Sequence, residues 1–471
     1  MPLILFNGCG SKKTDSKEAD SKPLNAVLFV VDDMGWKDVG AYGSDFYQTP
    51  NIDKLATDGI LFDNAYASCT VCSPSRASIM TGKYPATLNL TDWIEGWKYP
   101  KAKLSIPDWT KHLDLSETTL AEVFQDAGYK TVHLGKWHLG EDEKYWPENQ
   151  GFDVNYGGWS KGRPNGDKKL GAKGYFAPYG NPRLSDPKGE EYLTVRLAAE
   201  ASQFIEEEAD NPFFLNFWFY NVHTPLQARK EKIEKYETLI DPDKNQKNPI
   251  YAAMVEHVDD AVGQVIQKLK EKNLYDNTII IFTSDNGGLI GNANNKVTNN
   301  FPLREGKGGI YEGGVRVPLI IKMPDNQNAG SQQSAPVTSI DYMPTLIDFL
   351  DLEVPEELQA EMDGVSLLPI LENNDETLVR GSIYWHYPHY HRQGATPYSA
   401  VRNGDWKLIH VLESDTYELY NLEEDIGEKN DLSEQYPEIE EQLKEDLNDW
   451  RKKVGAQMPV SNPKYSPPTN N

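Results

Sequence analysis

Three carboxylates and one amide follow two apolar segments of the chain, where together they could bind a hard metal cation. Asp32 and Asp33 come directly after one continuous apolar run, and Asp285 and Asn286 follow another. In open parallel sheets, ligands bind beyond the carboxyl ends of the strands, so these side chains are expected to converge at one sheet edge. Oxygen-only ligand sets suit Ca²⁺ or Mg²⁺. Each pair alone is typical of a turn or a helix cap, but the two pairs together predict a metal site.

Basic and imidazole side chains follow other predicted strands. The candidates for a functional role among them are Lys136, His138, His223 and Lys307, and two further basic residues, Arg304 and Arg316, lie in glycine-rich segments. A lysine among glycines, as at Lys307, lets the backbone and the ammonium approach an anion closely. Buried histidines bonded to the backbone and ordinary surface lysines are the structural alternatives. With a metal ion, two lysines and an arginine could bind a tetrahedral oxyanion.

The segment from Cys69 to Gly82 contains two cysteines and an arginine at close spacing. The pair Cys69-x-x-Cys72 could be redox-active or form half of a zinc site, but the sequence has no second cysteine pair. The spacing from Cys72 to Arg76 is too short for a cysteine-dependent phosphatase. Pro74 can open a helix whose N-terminus favours an anion. Because a thiolate is a poor partner for a hard cation, the cluster becomes chemically coherent if position 72 presents oxygen.

Strand and helix patterns alternate through most of the chain. Continuous apolar runs, typical of strands that are buried on both faces of a parallel sheet, occur at 25–31, 213–220 and 278–282. Helical spacing of apolar residues occurs at 192–208, 250–272 and 120–127. For the helix near residue 120, Ser116 is the expected N-cap and Gly128 the expected stop. The alternation predicts an α/β domain over residues 25–371, with a large, mostly parallel sheet sandwiched by helices.

The pattern changes after residue 371. Short runs separated by turn residues predict a smaller antiparallel sheet, with strands at 382–385, 398–401, 406–411 and 417–421. A helix follows, whose apolar face carries Ile439, Leu443, Leu447 and Trp450. These elements predict an α+β subdomain over residues 372–455. The polar, proline-containing residues 456–471 are expected to form a loose tail.

The composition describes a large, acidic chain that is rich in aromatic residues. Its 471 residues are 38% hydrophobic and include 11 Trp and 25 Tyr, which excludes a disordered chain. The 72 acidic residues outnumber the 47 basic ones, and the net charge of −25 argues against a nucleic-acid partner. No apolar run reaches the ~20 residues that span a bilayer. We therefore expect a folded protein with an acidic surface, in which positive charge is concentrated at one site.

The N-terminal residues suggest attachment to a membrane by a lipid. Cys9 follows an apolar stretch and a small residue, as at the end of a bacterial lipoprotein signal, and a polar, tether-like segment follows it. We predict that residues 1–24 are a truncated lipoprotein signal and a flexible tether. An acylated Cys9 would be the only membrane contact, and the expected location is the periplasm or the cell surface. A stray cysteine without such a role is the alternative.

Several motifs in order make the chain resemble the formylglycine-dependent (type I) sulfatases of the alkaline phosphatase superfamily. The segment C-S-P-S-R at 72–76, followed by M-T-G at 80–82, matches the Cys-x-Pro-Ser-Arg signature of that family. The remaining motifs are V-D-D-M-G at 31–35, G-K-W-H at 135–138, V-H-T-P at 222–225, S-D-N-G-G at 284–288, G-K at 306–307 and Y-E-L-Y-N-L at 417–422. The likeness covers nearly the whole chain. It implies an alkaline phosphatase-like fold and, for residues 25–371, a catalytic sulfatase domain.

The resemblance also implies a modified residue and a metal. In the family, a separate enzyme, either formylglycine-generating or anaerobic sulfatase-maturating, oxidises the cysteine equivalent to Cys72 to formylglycine. One Ca²⁺ ion would be bound by Asp32, Asp33, Asp285, Asn286 and residue 72. The enzyme would then be a sulfuric ester hydrolase.

Roles for the other residues follow from the same resemblance. Arg76 would hold the formylglycine, and Lys136 and Lys307 would bind sulfate oxygens. One hydroxyl of the formylglycine hydrate would attack sulfur, and His223 or Lys307 would supply a proton to the leaving oxygen. His138 would contact the other hydroxyl and remove its proton, which releases sulfate and regenerates the aldehyde.

Aromatic and imidazole residues point to a carbohydrate substrate. They are concentrated at Trp93, Trp97, Tyr99, Trp159 and in the run 384–392. Aromatic faces stack on sugar rings, and His or Arg can bind neighbouring acidic groups, although a packed C-terminal strand is the alternative for the run. We expect a sulfated carbohydrate, from an extracellular polysaccharide. The rival functions are a phosphate or phosphonate ester hydrolase of the same superfamily, a non-catalytic glycan-binding lipoprotein, and a redox protein that uses Cys69 and Cys72.

Overall fold

The computed structural model describes residues 23–167, 169 and 171–465. Cys9, with most of the predicted lipoprotein signal and tether, lies outside the described residues, as do residues 466–471 of the tail. Within the described ranges, no helix combines the length and the apolar character needed to cross a membrane.

Strands and helices alternate along the chain, as the apolar patterns predict. The strands are β1 (Asn25–Val31), β2 (Ile60–Phe62), β3 (Ala65–Tyr66), β4 (Leu104–Ser105), β5 (Lys130–Gly135), β6 (Val154–Tyr156), β7 (Phe213–Trp218), β8 (Thr278–Ser284), β9 (Gly291–Asn292), β10 (Asn295–Lys296), β11 (Leu319–Lys322), β12 (Ser331–Gln333), β13 (Val337–Thr338), β14 (Ile383–Tyr387), β15 (Tyr398–Asn403), β16 (Trp406–Val411), β17 (Thr416–Asn421) and β18 (Val460–Ser461). The α-helices are α1 (Pro50–Asp58), α2 (Cys72–Thr81), α3 (Leu120–Asp126), α4 (Leu193–Glu207), α5 (Lys230–Glu237), α6 (Pro249–Glu271), α7 (Glu312–Val315), α8 (Tyr342–Phe349), α9 (Glu356–Glu361), α10 (Leu368–Glu372) and α11 (Pro437–Lys453).

An eight-stranded sheet forms the centre of the main domain, in the order β12-β2-β11-β8-β1-β7-β5-β6. The strands from β8 to β6 in this order are parallel, β11 is antiparallel to both of its neighbours, and β12 is parallel to β2. Both β1 and β8 are buried along their whole length. The predicted large, mostly parallel sheet is therefore confirmed.

Helices cover both faces of this sheet. On β1, the alternate residues from Val27 to Val31 belong to one hydrophobic cluster, which includes α4 and α6. The residues between them, from Ala26 to Val30, belong to a second cluster, which includes α2, α3 and α8. Successive side chains of a strand point to opposite faces, so one apolar run supplies both cores. This arrangement confirms the predicted sandwich.

Two local predictions about helix starts are wrong. The cap of α3 is Thr119 and not Ser116, because Thr119 and Glu122 form a reciprocal capping box in which each side chain accepts from the other residue's backbone N–H, at 3.1 and 2.7 Å. α2 begins at Cys72, so Pro74 is its third residue and does not open it. Proline is tolerated there because the first four amides of a helix have no intrahelical acceptor.

The C-terminal elements form a separate four-stranded antiparallel sheet, in the order β14-β15-β16-β17. Helix α11 buries Leu443, Leu447 and Trp450 against Leu408 and Leu419 of this sheet. The predicted smaller antiparallel sheet with a helix is confirmed. In the segment predicted as a loose tail, β18 pairs with β4.

A buried ion network joins this sheet to the main domain. The Nζ atom of Lys407 lies 2.9 Å from a carboxylate oxygen of Glu312 and 2.9 Å from one of Glu428. The second oxygen of Glu312 accepts from Nε of Arg316 at 2.7 Å. Burial opposes the ionisation of Glu312, but Lys407 and Arg316 hold its pKa well below the usual range. The negative charge of the buried Glu312 carboxylate therefore compensates the positive charges of Lys407 and Arg316.

Replacing Glu312 by glutamine is expected to destabilise the protein by roughly 3 kcal/mol, because it removes the charge that compensates two buried cations. Urea unfolding followed by tryptophan fluorescence measures the change. The control is Glu361→Gln, which breaks the ion pair between Glu361 and Lys83. Because the Glu361 side chain is 61% exposed, the loss of stability in this variant is expected to stay below about 1 kcal/mol. Equal losses in the two variants would contradict a stabilising role for the network.

Candidate active site

Four neighbouring parallel strands deliver predicted site residues to one edge of the sheet. Beyond β8, β1, β7 and β5, in this spatial order, lie Asp285 and Asn286, Asp32 and Asp33, His223, and Lys136. Backbone hydrogen bonds lock the strand ends together: Asp32 N–H donates to Asn221 O at 2.9 Å, and Asp285 N–H donates to Val31 O at 3.1 Å. Parallel strands end on the same side, so residues far apart in sequence become neighbours.

Asp32, Asp33 and Asp285 form a buried acidic cluster that could bind a metal ion. One carboxylate oxygen from each lies within 4.8 Å of the others. Asp32 Oδ1, Asp33 Oδ2 and Asn286 Oδ1 are buried and have no hydrogen-bond partner among the described residues. Asn286 donates from Nδ2 to Asp33 Oδ1 at 2.9 Å, which leaves its oxygen free. Buried polar atoms are rarely left unpaired, so these free oxygens fit a hard cation.

The pKa shifts of two of these carboxyls differ in direction. Burial raises the pKa of Asp32 well above its usual value; Lys136, whose Nζ donates to it at 2.8 Å, opposes the rise, and the charges of Asp285 and Asp33 add to it. Burial also opposes the ionisation of Asp33, but Lys307 and His223 hold its pKa below the usual range. A bound cation would favour the ionised form of the whole cluster.

Helix α2 places Cys72 and Arg76 on one face, since they are four residues apart. Nε and Nη2 of Arg76 each lie 2.8 Å from Asp285 Oδ2, and Nη1 donates to Lys136 O at 3.0 Å. The guanidinium also lies over the ring of Trp218, 5.1 Å from its centre. The fully buried Arg76 thus links the start of α2 to the acidic cluster.

Cys72 and His138 meet in a pocket of about 330 Å³. Cys72 Sγ lies 3.4 Å from Nδ1 of His138, and Nε2 of His138 contacts the carbonyl oxygen of Ile94. Burial, and next Lys136, lower the pKa of His138 well below its usual value, so the ring is neutral at pH 7. Because a carbonyl only accepts, Nε2 carries the proton and Nδ1 presents a lone pair to Cys72. His138 can therefore accept a proton next to residue 72.

Lys307 and His223 line the same pocket and contact Asp33. Lys307 Nζ lies 2.6 Å from Asp33 Oδ1, and His223 Nε2 lies 3.8 Å from Oδ2. Although burial opposes it, Asp33 raises the pKa of Lys307, which stays protonated at neutral pH. Burial and the Lys307 ammonium lower the pKa of His223 well below its usual value. Its Nδ1 donates to Thr224 O at 2.7 Å, which leaves the Nε2 lone pair on the side of Asp33.

All of the predicted catalytic and metal-binding residues belong to this cluster. Of the two other basic residues in the glycine-rich segments, Arg316 belongs to the buried ion network with Glu312, and Arg304 donates to Glu428 O at 2.9 Å. Cys69 is buried without lining the pocket, and burial raises its pKa to about 12. A thiol with so high a pKa is not a nucleophile at neutral pH, which weakens the redox alternative.

The wall of the pocket agrees only in part with the aromatic residues singled out from the sequence. Trp93, Trp97, His391 and Arg392 line it, whereas Trp385, a residue of β14, is buried between the C-terminal sheet and the main domain. The wall also contains polar residues that were not predicted from the sequence as site residues: Glu95, Ser160, Lys161, Arg163 and Thr224. The available signal was a glycine between two basic residues in K-G-R at 161–163.

Comparisons with known proteins find sulfatases among both the sequence relatives and the solved structures. Residues 24–352 match the sulfatase family, and residues 306–453 match the C-terminal region of N-sulphoglucosamine sulphohydrolase. A sulfatase of Formosa agariphila is 31% identical over 92% of this chain and 88% of its own length. Human N-acetylgalactosamine-6-sulfatase is 30% identical over 90% of this chain and 84% of its own. The structure of Ps i-CgsB in complex with k-i-k-neocarrahexaose has 31% identity and a TM-score of 0.77, covering 95% of this chain and 96% of that one.

The fold and the site define a hydrolase of the alkaline phosphatase superfamily. Within it, the chain belongs to the sulfatase family, because the family match covers well over half of its residues. The protein is accordingly a sulfatase, an enzyme that hydrolyses sulfuric esters. The family resemblance and the fold class predicted from the sequence are both confirmed.

Proposed function

We propose that this sulfatase removes sulfate from a sulfated carbohydrate, an extracellular polysaccharide or its oligosaccharides, with a formylglycine made from Cys72 and one Ca²⁺ ion. The observation that carries the proposal is the shared pocket. Cys72, His223 and Lys307 line it, and Lys307 directly contacts the acidic cluster through Asp33. The carbohydrate is supported by relatives named for N-acetylgalactosamine 6-sulfate hydrolysis and by the neocarrahexaose complex.

The donor set is consistent with Ca²⁺ and with an oxygen at position 72. The ion would be bound by Asp32, Asp33, Asp285, Asn286 and residue 72. As its hydrate, formylglycine would supply an oxygen nucleophile beside the cation, which suits a hard metal better than a thiolate does. The oxidation of the cysteine side chain to the aldehyde is assigned to a separate maturation enzyme, of the formylglycine-generating or the anaerobic type.

The other side chains neutralise charge and move protons. Sulfuryl transfer resembles phosphoryl transfer, in which positioning and charge neutralisation supply most of the catalysis. Lys136 and Lys307 bind the sulfate oxygens, and Arg76 fixes residue 72 relative to Asp285. His138 accepts a proton at Nδ1. The Nε2 lone pair of His223 takes up a proton from solvent and passes it to the leaving oxygen of the sugar.

We also propose that the enzyme acts in the periplasm or at the cell surface, held by a lipid on Cys9. The apolar stretch before Cys9 and the polar segment after it support this proposal. Metabolic labelling with a radioactive fatty acid tests it, since the label should be incorporated by the natural protein and lost in a Cys9→Ala variant.

The decisive experiment on the reaction uses protein whose residue 72 has been identified by mass spectrometry. Release of free sulfate from a panel of defined sulfated oligosaccharides is measured, together with release of phosphate from the phosphate ester of one of the same alcohols. We expect the sulfate ester to be the better substrate by orders of magnitude. Faster phosphate release would instead favour the phosphate or phosphonate ester hydrolase, and glycan binding without release would favour the non-catalytic alternative.

His223→Gln is expected to slow hydrolysis of a sugar sulfate by roughly 10²-fold or more, but hydrolysis of 4-nitrophenyl sulfate by about tenfold or less. Nitrophenolate leaves without a proton, whereas a sugar alkoxide needs one. The raised pKa of Lys307 makes its ammonium a weak acid, so Lys307→Met should reduce the hydrolysis rates of both substrates by the same factor. A loss that depends on the leaving group in Lys307→Met alone would assign the proton donor to Lys307.

A further inference from the structure

Three cationic side chains line the pocket in addition to the residues assigned to sulfate. Lys161, Arg163 and Arg392 are exposed to solvent, and in the described part of the chain none of them forms a salt bridge. The one acidic side chain on the same wall is Glu95, which lies near the carboxyl group of Glu141 and raises the pKa of that group. This excess of positive charge occurs in a protein with a net charge of −25.

The loop that carries Lys161 and Arg163 is fixed against His138. Trp159 O, at the start of this loop, accepts from the backbone N–H of His138 at 3.3 Å. Gly162, between the two cations, packs so closely on the imidazole that a Cβ atom there would lie 2.3 Å from Cε1 of His138. The backbone between the two basic residues is therefore packed against a residue that faces Cys72.

Arg392 is held in the same way next to Lys307. The ring of His391 packs on Gly308, where a Cβ atom would lie 2.0 Å from its Nδ1. The backbone N–H of His391 donates to Ala395 O at 2.9 Å, which closes a turn around Arg392. The guanidinium lies 5.6 Å from the ring centre of Trp97, whose side chain is 48% exposed. The exposed ring of Trp97 and the guanidinium of Arg392 are therefore neighbours at the pocket wall.

We propose that Lys161, Arg163 and Arg392 form a second anion subsite, which binds a sulfate or carboxylate group carried by the same glycan near the scissile sulfate. The inference rests on the proposed function and specifies its substrate as a glycan with at least two anionic groups. Lys136 and Lys307 have carboxylate partners in the fold, whereas the three subsite cations form no salt bridge with the described residues, so an anion on the substrate can pair with them. Trp97 offers a face on which the intervening sugar ring can stack.

The test measures binding to the protein with unmodified Cys72, so that no turnover occurs during titration. The probes are sugars with one sulfate, with two sulfates, and with one sulfate and a linked uronate, each on a galactose and on a glucosamine ring. Calorimetry is expected to show that at least one dianionic probe binds about tenfold or more tightly than its monosulfated counterpart, with the difference shrinking as salt rises. Comparing the disulfated with the uronate probes distinguishes sulfate from carboxylate.

Substitutions assign the effect to these residues. The triple variant Lys161→Gln, Arg163→Gln and Arg392→Gln should lose the preference for dianionic probes, and the charge reversal of Lys161→Glu with Arg392→Glu should invert it. Lys453→Gln, an exposed lysine of α11 outside the pocket, should keep the preference. Equal affinity for both probe classes, or no binding of any dianionic probe, overturns the subsite. Failure of the proposed function shows separately, as no sulfate release by protein with formylglycine at position 72.

Discussion

Replacing Cys72 by serine is expected to reduce multiple turnover of sulfate esters by roughly 10³-fold or more. Serine presents one hydroxyl, so once that oxygen is sulfated there is no second hydroxyl from which His138 can remove a proton to expel sulfate. The pocket itself should survive, because Ser and Cys have similar size and residue 72 is held at the start of α2. The measurement is sulfate release over many enzyme equivalents, with mass spectrometry of residue 72 after exposure to substrate.

The matched control is Cys69→Ala. Cys69 is a second buried cysteine, three residues earlier in the chain, but it does not line the pocket. This variant should retain turnover within about threefold, since a small buried side chain is replaced by a smaller one. Complete turnover by Cys72→Ser would refute the aldehyde-dependent reaction. Loss of activity in Cys69→Ala but not in Cys72→Ser would favour the alternative in which Cys69 and Cys72 act as a redox pair.

Removal of divalent metal by a chelator is expected to reduce activity by about 10³-fold or more, and added Ca²⁺ should restore it. The physical reason is the cluster of Asp32, Asp33 and Asp285, whose buried oxygens lie within 4.8 Å and repel each other without a cation. Binding to the folded state alone also stabilises it, by about 2.7 kcal/mol at a free-ion concentration one hundredfold above Kd. Activity, thermal unfolding and elemental analysis of the bound metal are measured together.

Substitutions of two buried aspartates, Asp32 and Asp38, distinguish a carboxylate that binds the metal from one that is only buried. Asp32→Asn removes a charge from the cluster, and should raise the Ca²⁺ concentration needed for half-maximal activity by at least about tenfold. Asp38→Asn alters a buried carboxyl whose oxygens already accept from Gly35 N–H, Tyr251, Gln246 and Thr298. It should lower stability but leave the Ca²⁺ requirement unchanged. Equal Ca²⁺ dependence in both variants, or activity after exhaustive chelation, would contradict the assignment.

Much of the site could be predicted from the sequence because its residues follow buried strands. Asp32 and Asp33 are adjacent to β1, and Asp285 and Asn286 are adjacent to β8, so the apolar runs themselves mark where the polar residues fall. In a parallel sheet these ends lie side by side whatever the loops do. The same reasoning was less reliable for Ser116, because a capping box depends on which of several polar residues reaches an orphan amide.

The pocket wall could not be predicted in this way. Lys161, Arg163 and Arg392 lie on loops with no periodic pattern, and their approach to His138 and Lys307 depends on close packing at Gly162 and Gly308. The histidines and aromatics of the run 384–392 illustrate the same limit. The sequence does not tell them apart, yet Trp385 is buried between the C-terminal sheet and the main domain, whereas His391 lines the pocket.

The α/β architecture and the set of residues at the strand ends follow from the amino-acid sequence alone, because hydrophobic periodicity and short motifs are local properties of the chain. Three features became visible only in the folded protein: which oxygens remain free for a cation, which nitrogen of His138 faces Cys72, and which loop cations line the pocket. Those features depend on contacts between residues separated by tens to hundreds of positions, and such contacts are set by packing in three dimensions.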